Sequence, residues 1–396
     1  MTQNKTNKVS NVPPLRFPEF SGEYEKHSLG EMGNGIIGLT YSPRDVVEIG
    51  GTIVFRSSNI QNGEIDYSDL VRVNMNIREN IITRKGDLLI CARNGSPKLI
   101  GKNALLTEDE AGQTFGAFML VYRSSNNPYI HKLLNTKRYV SQVKENLGAR
   151  INQITTANLN DFEFYFPTNN EESKKVADFI GLLDKRIATQ IRVIDKLESL
   201  IKGIYNSILW REYKQASLSD IFIERNERTT SNNQYEVLSS TAKGLFRQAD
   251  YFDKEVASAN NVGYKVLRLG DVVLSPQNLW LGNINYNDIF EIGIVSPSYK
   301  VFSIRKQFNP YYVSCFLKTH RALYEYANAS EQGASVVRRN LDLDAFMAIT
   351  FPMPDKDIQD SVSKKLQAIN KKLSVEKQIL DKLKEQKNYL LSQMFI

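Results

Sequence analysis

The sequence predicts an α+β protein made of two similar lobes, each closed by one long helix. Three observations predict it. The chain has 396 residues, more than one fold of about 150 residues accounts for. Its features recur in the same order in both halves. Each half also ends in an apolar pattern at helical spacing that outruns the needs of a small lobe.

The repeat shows first in GDLLI at 86–90 and GDVVL at 270–274, an offset of 270 − 86 = 184. Upstream, Ser57-Ser58-Asn59 answers to Ser239-Ser240-Thr241, and Asn62-Gly63 to Lys243-Gly244. Downstream, Asn127-Pro128-Tyr129 answers to Asn309-Pro310-Tyr311, then Gly148 to Gly333, Leu159 to Leu343, and Phe166-Pro167 to Phe351-Pro352. Residues 1–25 precede the first lobe, 26–168; a helix over 169–212 leads to the second lobe, 213–353, and a second helix fills 354–396. In the first lobe the β-rich runs are 52–56, 87–92 and 118–123, and a helical patch covers 128–145. In the second, strands are expected over 271–275 and 299–304 and a helical patch over 310–329.

Both Phe-Pro pairs stop a strand and open a long helix. The first carries a seam at steps of three or four that includes Ile180, Leu183, Ile187, Ile194 and Leu197. Adding 186 to these positions gives Leu366, Ile369, Leu373, Leu380 and Leu383. Lys377 and Lys387 interrupt the second seam where Ile191 and Ile201 stand in the first. A helix of about 40 residues is ~60 Å long, so the two are expected to pack on each other.

Composition narrows the function classes. At 41% hydrophobic and 24% charged, the chain is too apolar for disorder and can bury real cores. A net charge of +7 and a pI near 9.0 make a polyanion the first partner to test. Two cysteines, Cys91 and Cys315, exclude a disulfide framework and a cysteine-based zinc finger, and fit a reducing cytoplasm. No apolar stretch approaches the ~18–20 residues of a membrane span, and residues 1–14 lack the apolar core of a signal peptide, so a cytoplasmic protein without membrane attachment is expected.

Catalytic motifs are missing. His27, His131 and His320 are scattered, which argues against a metal site and against a Ser-His-Asp or Cys-His constellation. Residues 95–103 imitate a phosphate-binding loop, yet five residues separate Gly95 from Gly101, and Asn103 stands where a magnesium-binding hydroxyl is needed. They read as a turn between strands. Pro354-Asp355 opens a helix, where an aspartate is expected anyway. Asn126-Asn127-Pro128-Tyr129 resembles the base-holding loop of adenine-N6 methyltransferases, but its second residue is wrong and no glycine-rich cofactor loop accompanies it. No catalytic residue, metal or cofactor is therefore expected in this chain.

What remains are polar groups on loops. In the first lobe they are Arg56, Ser57, Ser58, Asn59, Arg93, Asn94, Ser96, Lys98, Arg150, Asn152 and Gln153. In the second they are Ser239, Ser240, Thr241, Lys243, Gln277, Asn278, Arg338, Arg339 and Asn340. Arginine pairs in bidentate fashion with guanine, and asparagine or glutamine with adenine, in the major groove. Matching positions with differing identities fit two readers of different sequences.

From about Pro14 to the end, the chain resembles the specificity subunit of type I restriction-modification systems. The resemblance rests on GLTYS at 38–42, GTIVFRSSNIQNG at 51–63, GDLLICARNGSPKLIG at 86–101, the Phe166-Pro167 exit, GDVVLSPQNLWLG at 270–282 and Phe351-Pro352. It implies two target recognition domains that each read half of a bipartite site in double-stranded DNA, with the repeat helices forming an antiparallel coiled coil. It adds Thr40 and Ser42 to the DNA-facing candidates, although the second lobe lacks an equally clear Thr-x-Ser loop. It further implies two methylation subunits that carry S-adenosylmethionine, and restriction subunits that carry ATP and Mg²⁺. Two other readings stay open on sequence: a stand-alone DNA methyltransferase, and a coiled-coil adaptor without DNA recognition.

Overall fold

The structure, a computed structural model, describes residues 11–147, 152–209, 211–251, 260–332 and 338–396. It divides into two compact units, residues 1–192 with 377–396, and residues 193–376.

At the centre of the first unit is a four-stranded antiparallel sheet in the order Asn34–Ile37, Met119–Arg123, Leu88–Cys91, Asn103–Leu105. Leu88, Leu89, Ile90 and Cys91 are all fully buried, as expected of an inner strand covered on both faces. A small antiparallel pair, Glu25–Ser28 with Glu163–Phe166, closes one side. Helices Asn127–Leu133 and Lys137–Glu145 follow the sheet. Pro128 sits in the first turn of one, where its missing N–H costs nothing, and the Thr136 hydroxyl caps the other.

The second unit repeats this plan with its own residues. Its sheet runs Phe222–Arg225, Lys300–Ile304, Val272–Leu274, Ile284–Tyr286, again antiparallel throughout. Gln215–Ser217 pairs with Thr350–Pro352. Helices Pro310–Phe316 and His320–Asn328 follow, with Pro310 and the Thr319 cap in the matching places. Even the capping boxes recur, Ser28 with Glu31 and Ser217 with Asp220.

The shared Gly-Asp signal has a physical cause. Gly86 and Gly270 take φ values of +85° and +88°, the left-handed region in which glycine is unstrained. Gly86 N–H donates to the Leu106 carbonyl and Leu106 N–H to the Asp87 carbonyl; Gly270, Asn287 and Asp271 make the same two bonds. Each buried carboxylate then accepts an arginine. Arg123 Nε lies 2.9 Å from Asp87, and Arg225 Nη1 lies 3.2 Å from Asp271.

The units differ beyond this scaffold. The first adds a sheet ordered Thr114–Phe115, Thr52–Phe55, Val71–Val73, Val46–Val47, whereas the second has a hairpin, Leu238–Thr241 with Gly244–Arg247, and a pair, Lys265–Arg268 with Ile292–Val295. The expected match of Ser57–Asn59 to 239–241 is therefore corrected. The former is a turn of 3-10 helix and the latter a strand, because an added sheet precedes one and a hairpin closes on the other.

The long helices are Asn170–Leu209 and Lys356–Met394. In the first unit, Val176, Ala177 and Ile180 share a core with Leu390, Leu391, Met394 and Phe395, and Lys387 Nζ lies 2.6 Å from Asp184, so the two helices run antiparallel there. In the second unit, Ile204 and Ile208 share a core with Val362. The seam positions turn inward to different degrees: Ile180, Ile194, Leu366 and Leu383 are buried, while Leu183, Ile187, Leu197, Ile369, Leu373 and Leu380 are half-buried. Lys387 interrupts the seam for a reason. Asp184 accepts from both Lys387 and Lys132, and although burial opposes its charge, these ammonium groups hold the carboxyl below the usual range.

Two outcomes follow from these buried groups. Asp87→Ala leaves Arg123 without its carboxylate, and we expect ~3 kcal/mol of lost stability in urea unfolding of the first unit. His131 is held neutral by burial, with the neighbouring Lys132 adding to the effect, and its pKa drops from 6.5 to about 3. The unfolded chain therefore takes up the proton first, so stability from this residue is full above pH 6.5 and falls as the pH drops toward 3. His131→Leu should flatten the decline of the urea midpoint across that window.

Candidate nucleic-acid interface

The exit of the buried central strand is where polar loop groups gather. After Cys91 the chain turns against residues 152–154: Ile154 N–H donates to the Ala92 carbonyl at 2.9 Å, Asn94 N–H to the Asn152 carbonyl at 3.3 Å, and the Asn152 amide to the Gly95 carbonyl at 3.0 Å. Arg93 pairs with Gln153 as an isolated bridge. On the other side, the Phe118 carbonyl accepts the N–H groups of both Ala92 and Arg93 at 3.0 Å. The exposed Arg93 guanidinium lies over the Phe118 ring, 5.0 Å from its centre, and that ring is 57% exposed.

The second unit builds the same junction from different residues. The 3-10 helix Pro276–Leu281 follows the strand Val272–Leu274 and packs on the strand Arg339–Leu341. Here the arginine comes from the opposite partner. Arg339 lies over the Trp280 ring at 4.4 Å and donates to the Ala327 carbonyl at 3.3 Å. Gln277 and Arg338 are exposed beside them in sequence, and Asn278 is half-buried.

The remaining candidates divide by what their side chains are committed to. Thr40, Ser58, Lys98 and Lys243 are exposed, and Ser57, Ser96, Ser239 and Thr241 are half-buried. Ser57 Oγ accepts from the Asn94 amide at 2.9 Å, which ties the 57–59 turn to the Arg93 loop. Leu39 bonds to residues 115–117, so the segment carrying Thr40 is anchored beside Phe118. Ser42 is exposed but donates to Asp45. Arg56 is paired with Asp69 at 2.8 Å, unlike Arg93. Arg150 lies outside the described residues.

Two candidates are corrected. Asn59 is 0% exposed, and its amide donates to the carbonyls of Asp66 and Asp69 while its oxygen accepts from Arg56 N–H, so it braces a loop instead of facing a ligand. Ser240 is 3% exposed and sits in a network with Asn283 at 2.7 Å and Asn285 at 2.8 Å, which Lys318 joins through Asn285. Polar residues in a turn read alike in sequence whether they face solvent or satisfy backbone.

Sequence reasoning missed Phe118 and Trp280. Each sits within an apolar run, FMLV and LWL, that reads as core; only the fold shows one ring facing solvent and an arginine on each.

Other chemistry is spoken for. Burial pushes the thiols of Cys91 and Cys315 up to about 11, far from a nucleophile's range. The Asn127 amide donates to the carbonyls of Gly86 and Tyr122, and Tyr129 is fully buried, so this segment cannot frame a base. Among the described residues, no group of three or more His, Cys, Asp or Glu is placed to hold a metal ion, and no helix is long and apolar enough to cross a membrane.

The duplicated α+β scaffold thus carries an arginine over an aromatic ring beside the exit of the central strand in each copy. Residues 22–199 match the model of the type I restriction modification DNA specificity domain. The Type I restriction enzyme StySPI specificity subunit of Salmonella potsdam is 27% identical over 161 residues, which are 39% of this chain and 34% of that protein. The match thus spans about a third of that relative's length. The type I restriction-modification S subunit from M. genitalium shares the fold, with a TM-score of 0.62 at 15% identity over 97% of this chain and 99% of that one. Residues 22–199 are thus similar to a type I restriction modification DNA specificity domain, and the chain as a whole shares the fold of an S subunit.

The division of candidates is testable by thermal unfolding. Asn59→Ala and Ser240→Ala should each cost ~1–3 kcal/mol, because buried partners lose their bonds. Ser58→Ala and Thr40→Ala, both exposed, should stay within about 0.5 kcal/mol of the parent.

Proposed function

We propose that this chain is the DNA-reading subunit of a type I restriction-modification complex and is not itself an enzyme. Each unit reads one half of a bipartite site in double-stranded DNA. Two methylation subunits supply S-adenosylmethionine and adenine-N6 transfer, and restriction subunits supply ATP- and Mg²⁺-dependent cleavage, in the cytoplasm. The observation that carries this reading is the repeated junction: Arg93 on Phe118 and Arg339 on Trp280, each at the exit of the buried strand that follows a Gly-Asp turn. Arginine bidentate to guanine is the commonest specific contact in the major groove; Arg93 is exposed on a loop and Arg339 half-buried on a strand edge, and the net charge of +7 favours a polyanion.

Sequencing methylated adenines in cells carrying the chain with its partner subunits tests this. We expect two short specified parts around an unspecified spacer. Arg93→Ala should cost ~1–3 kcal/mol of discrimination in one part only, and Arg339→Ala in the other. An equal loss on all sequences would assign these arginines to phosphates. One uninterrupted motif, or methyl transfer by the pure chain, would contradict the reading.

A further inference from the structure

We infer that Phe118 is a specificity-determining positioning residue: its ring holds the Arg93 guanidinium in the orientation in which it meets a base edge. Resting on the proposed function, this assigns a role to a residue with no polar group of its own.

The geometry is unusually constrained for an exposed pair. Phe118 and Arg93 are joined at the backbone, since the Phe118 carbonyl accepts both the Ala92 and the Arg93 N–H. The turn that carries Phe118 is pinned in its own right: Gly116 N–H donates to the Phe55 carbonyl, Ala117 N–H to the Leu39 carbonyl, and Met119 N–H to the Gly116 carbonyl. Gly38 lies where a Cβ would come within 2.4 Å of the Phe115 and Gly116 carbonyls, so the two segments meet as closely as backbone allows. The Phe118 backbone is therefore fixed relative to the root of the Arg93 side chain, and the ring meets the guanidinium 5.0 Å from its centre.

Phe118 stays 57% exposed although strand Met119–Arg123 begins one residue later with buried side chains. Burial does not explain a phenylalanine at that place. The stacked guanidinium does, because an arginine free in solvent loses rotamer freedom on ordering, and a ring face that pre-orders it lowers that cost. No carboxylate pairs with Arg93 among the described residues, in contrast to Arg56 with Asp69 and Arg123 with Asp87, so its charge is available to a ligand. The second unit repeats the device with Trp280 under Arg339.

The test is methylation mapping in cells with the full chain and its partner subunits, comparing Arg93→Ala, Phe118→Ala, Phe118→Trp and the Arg93→Ala/Phe118→Ala double variant, with melting temperatures measured alongside. Phe118→Ala should relax the same base position as Arg93→Ala, with discrimination there lowered about three- to tenfold. The double variant should be no more relaxed than Arg93→Ala alone. Phe118→Trp should restore discrimination, which a merely structural role for the ring would not produce. Unchanged discrimination in Phe118→Ala, relaxation at a different base, or additive losses in the double variant would overturn the proposal while leaving the proposed function standing. If Arg93→Ala itself leaves the methylated sites unchanged, Arg93 does not read DNA, and the proposed function falls in the first unit together with this inference.

Discussion

The buried carboxylate at the head of each central strand is the constraint on which the rest depends. Asp87 and Asp271 are almost inaccessible, at 3% and 2% exposure, and each sits where a left-handed glycine turns the chain into the sheet. A carboxylate removed from water is tolerated only with partners, and here the partners are a turn N–H and an arginine from another strand of the same sheet. That arrangement sets where the strand starts. The strand, four residues in the first unit and three in the second, then sets where its exit loop emerges. Loop chemistry can differ between the copies because the strand beneath it does not.

The long helices solve a second problem, that the first unit does not complete its core from one continuous stretch of chain. The first unit takes Leu390, Leu391, Met394 and Phe395 from the last residues of the chain, and the Phe395 ring lies tilted against Tyr129, centres 5.1 Å apart. The N-terminal segment joins them. Leu15 N–H donates to the Gln393 carbonyl, and Arg16 and Tyr24 both bond to the buried Glu172 on the first long helix. Asp184, bridged by Lys132 and Lys387, adds a polar register mark to an otherwise apolar contact. A lysine in the seam is thus specific to the pairing seen here.

Much of this was legible in the sequence because repetition reports on scaffold. The Gly-Asp turns, the Pro-led helices and the Phe-Pro exits recur since each solves a backbone problem in few ways, and the structure places them in equivalent elements. The seam was legible from spacing alone. The site was less so, for a physical reason. Whether Asn59 or Ser240 faces solvent depends on carbonyls brought near by distant residues, and whether Phe118 is core or surface depends on which way a turn presents it. Neither quantity has a local period. The repeat also misled where the units diverge, matching a 3-10 turn to a strand at 57–59 and 239–241.

The central claim is that two copies of one scaffold each present the same junction to DNA. Photocrosslinking from two exposed positions beside those junctions, a photoreactive residue at Lys98 in one variant and at Gln277 in the other, tests it in the assembled complex. The account predicts that each position marks bases in one specified part of the target, a different part for each, with the spacer unmarked. Crosslinks from both positions to the same part, or from neither to DNA, would contradict it.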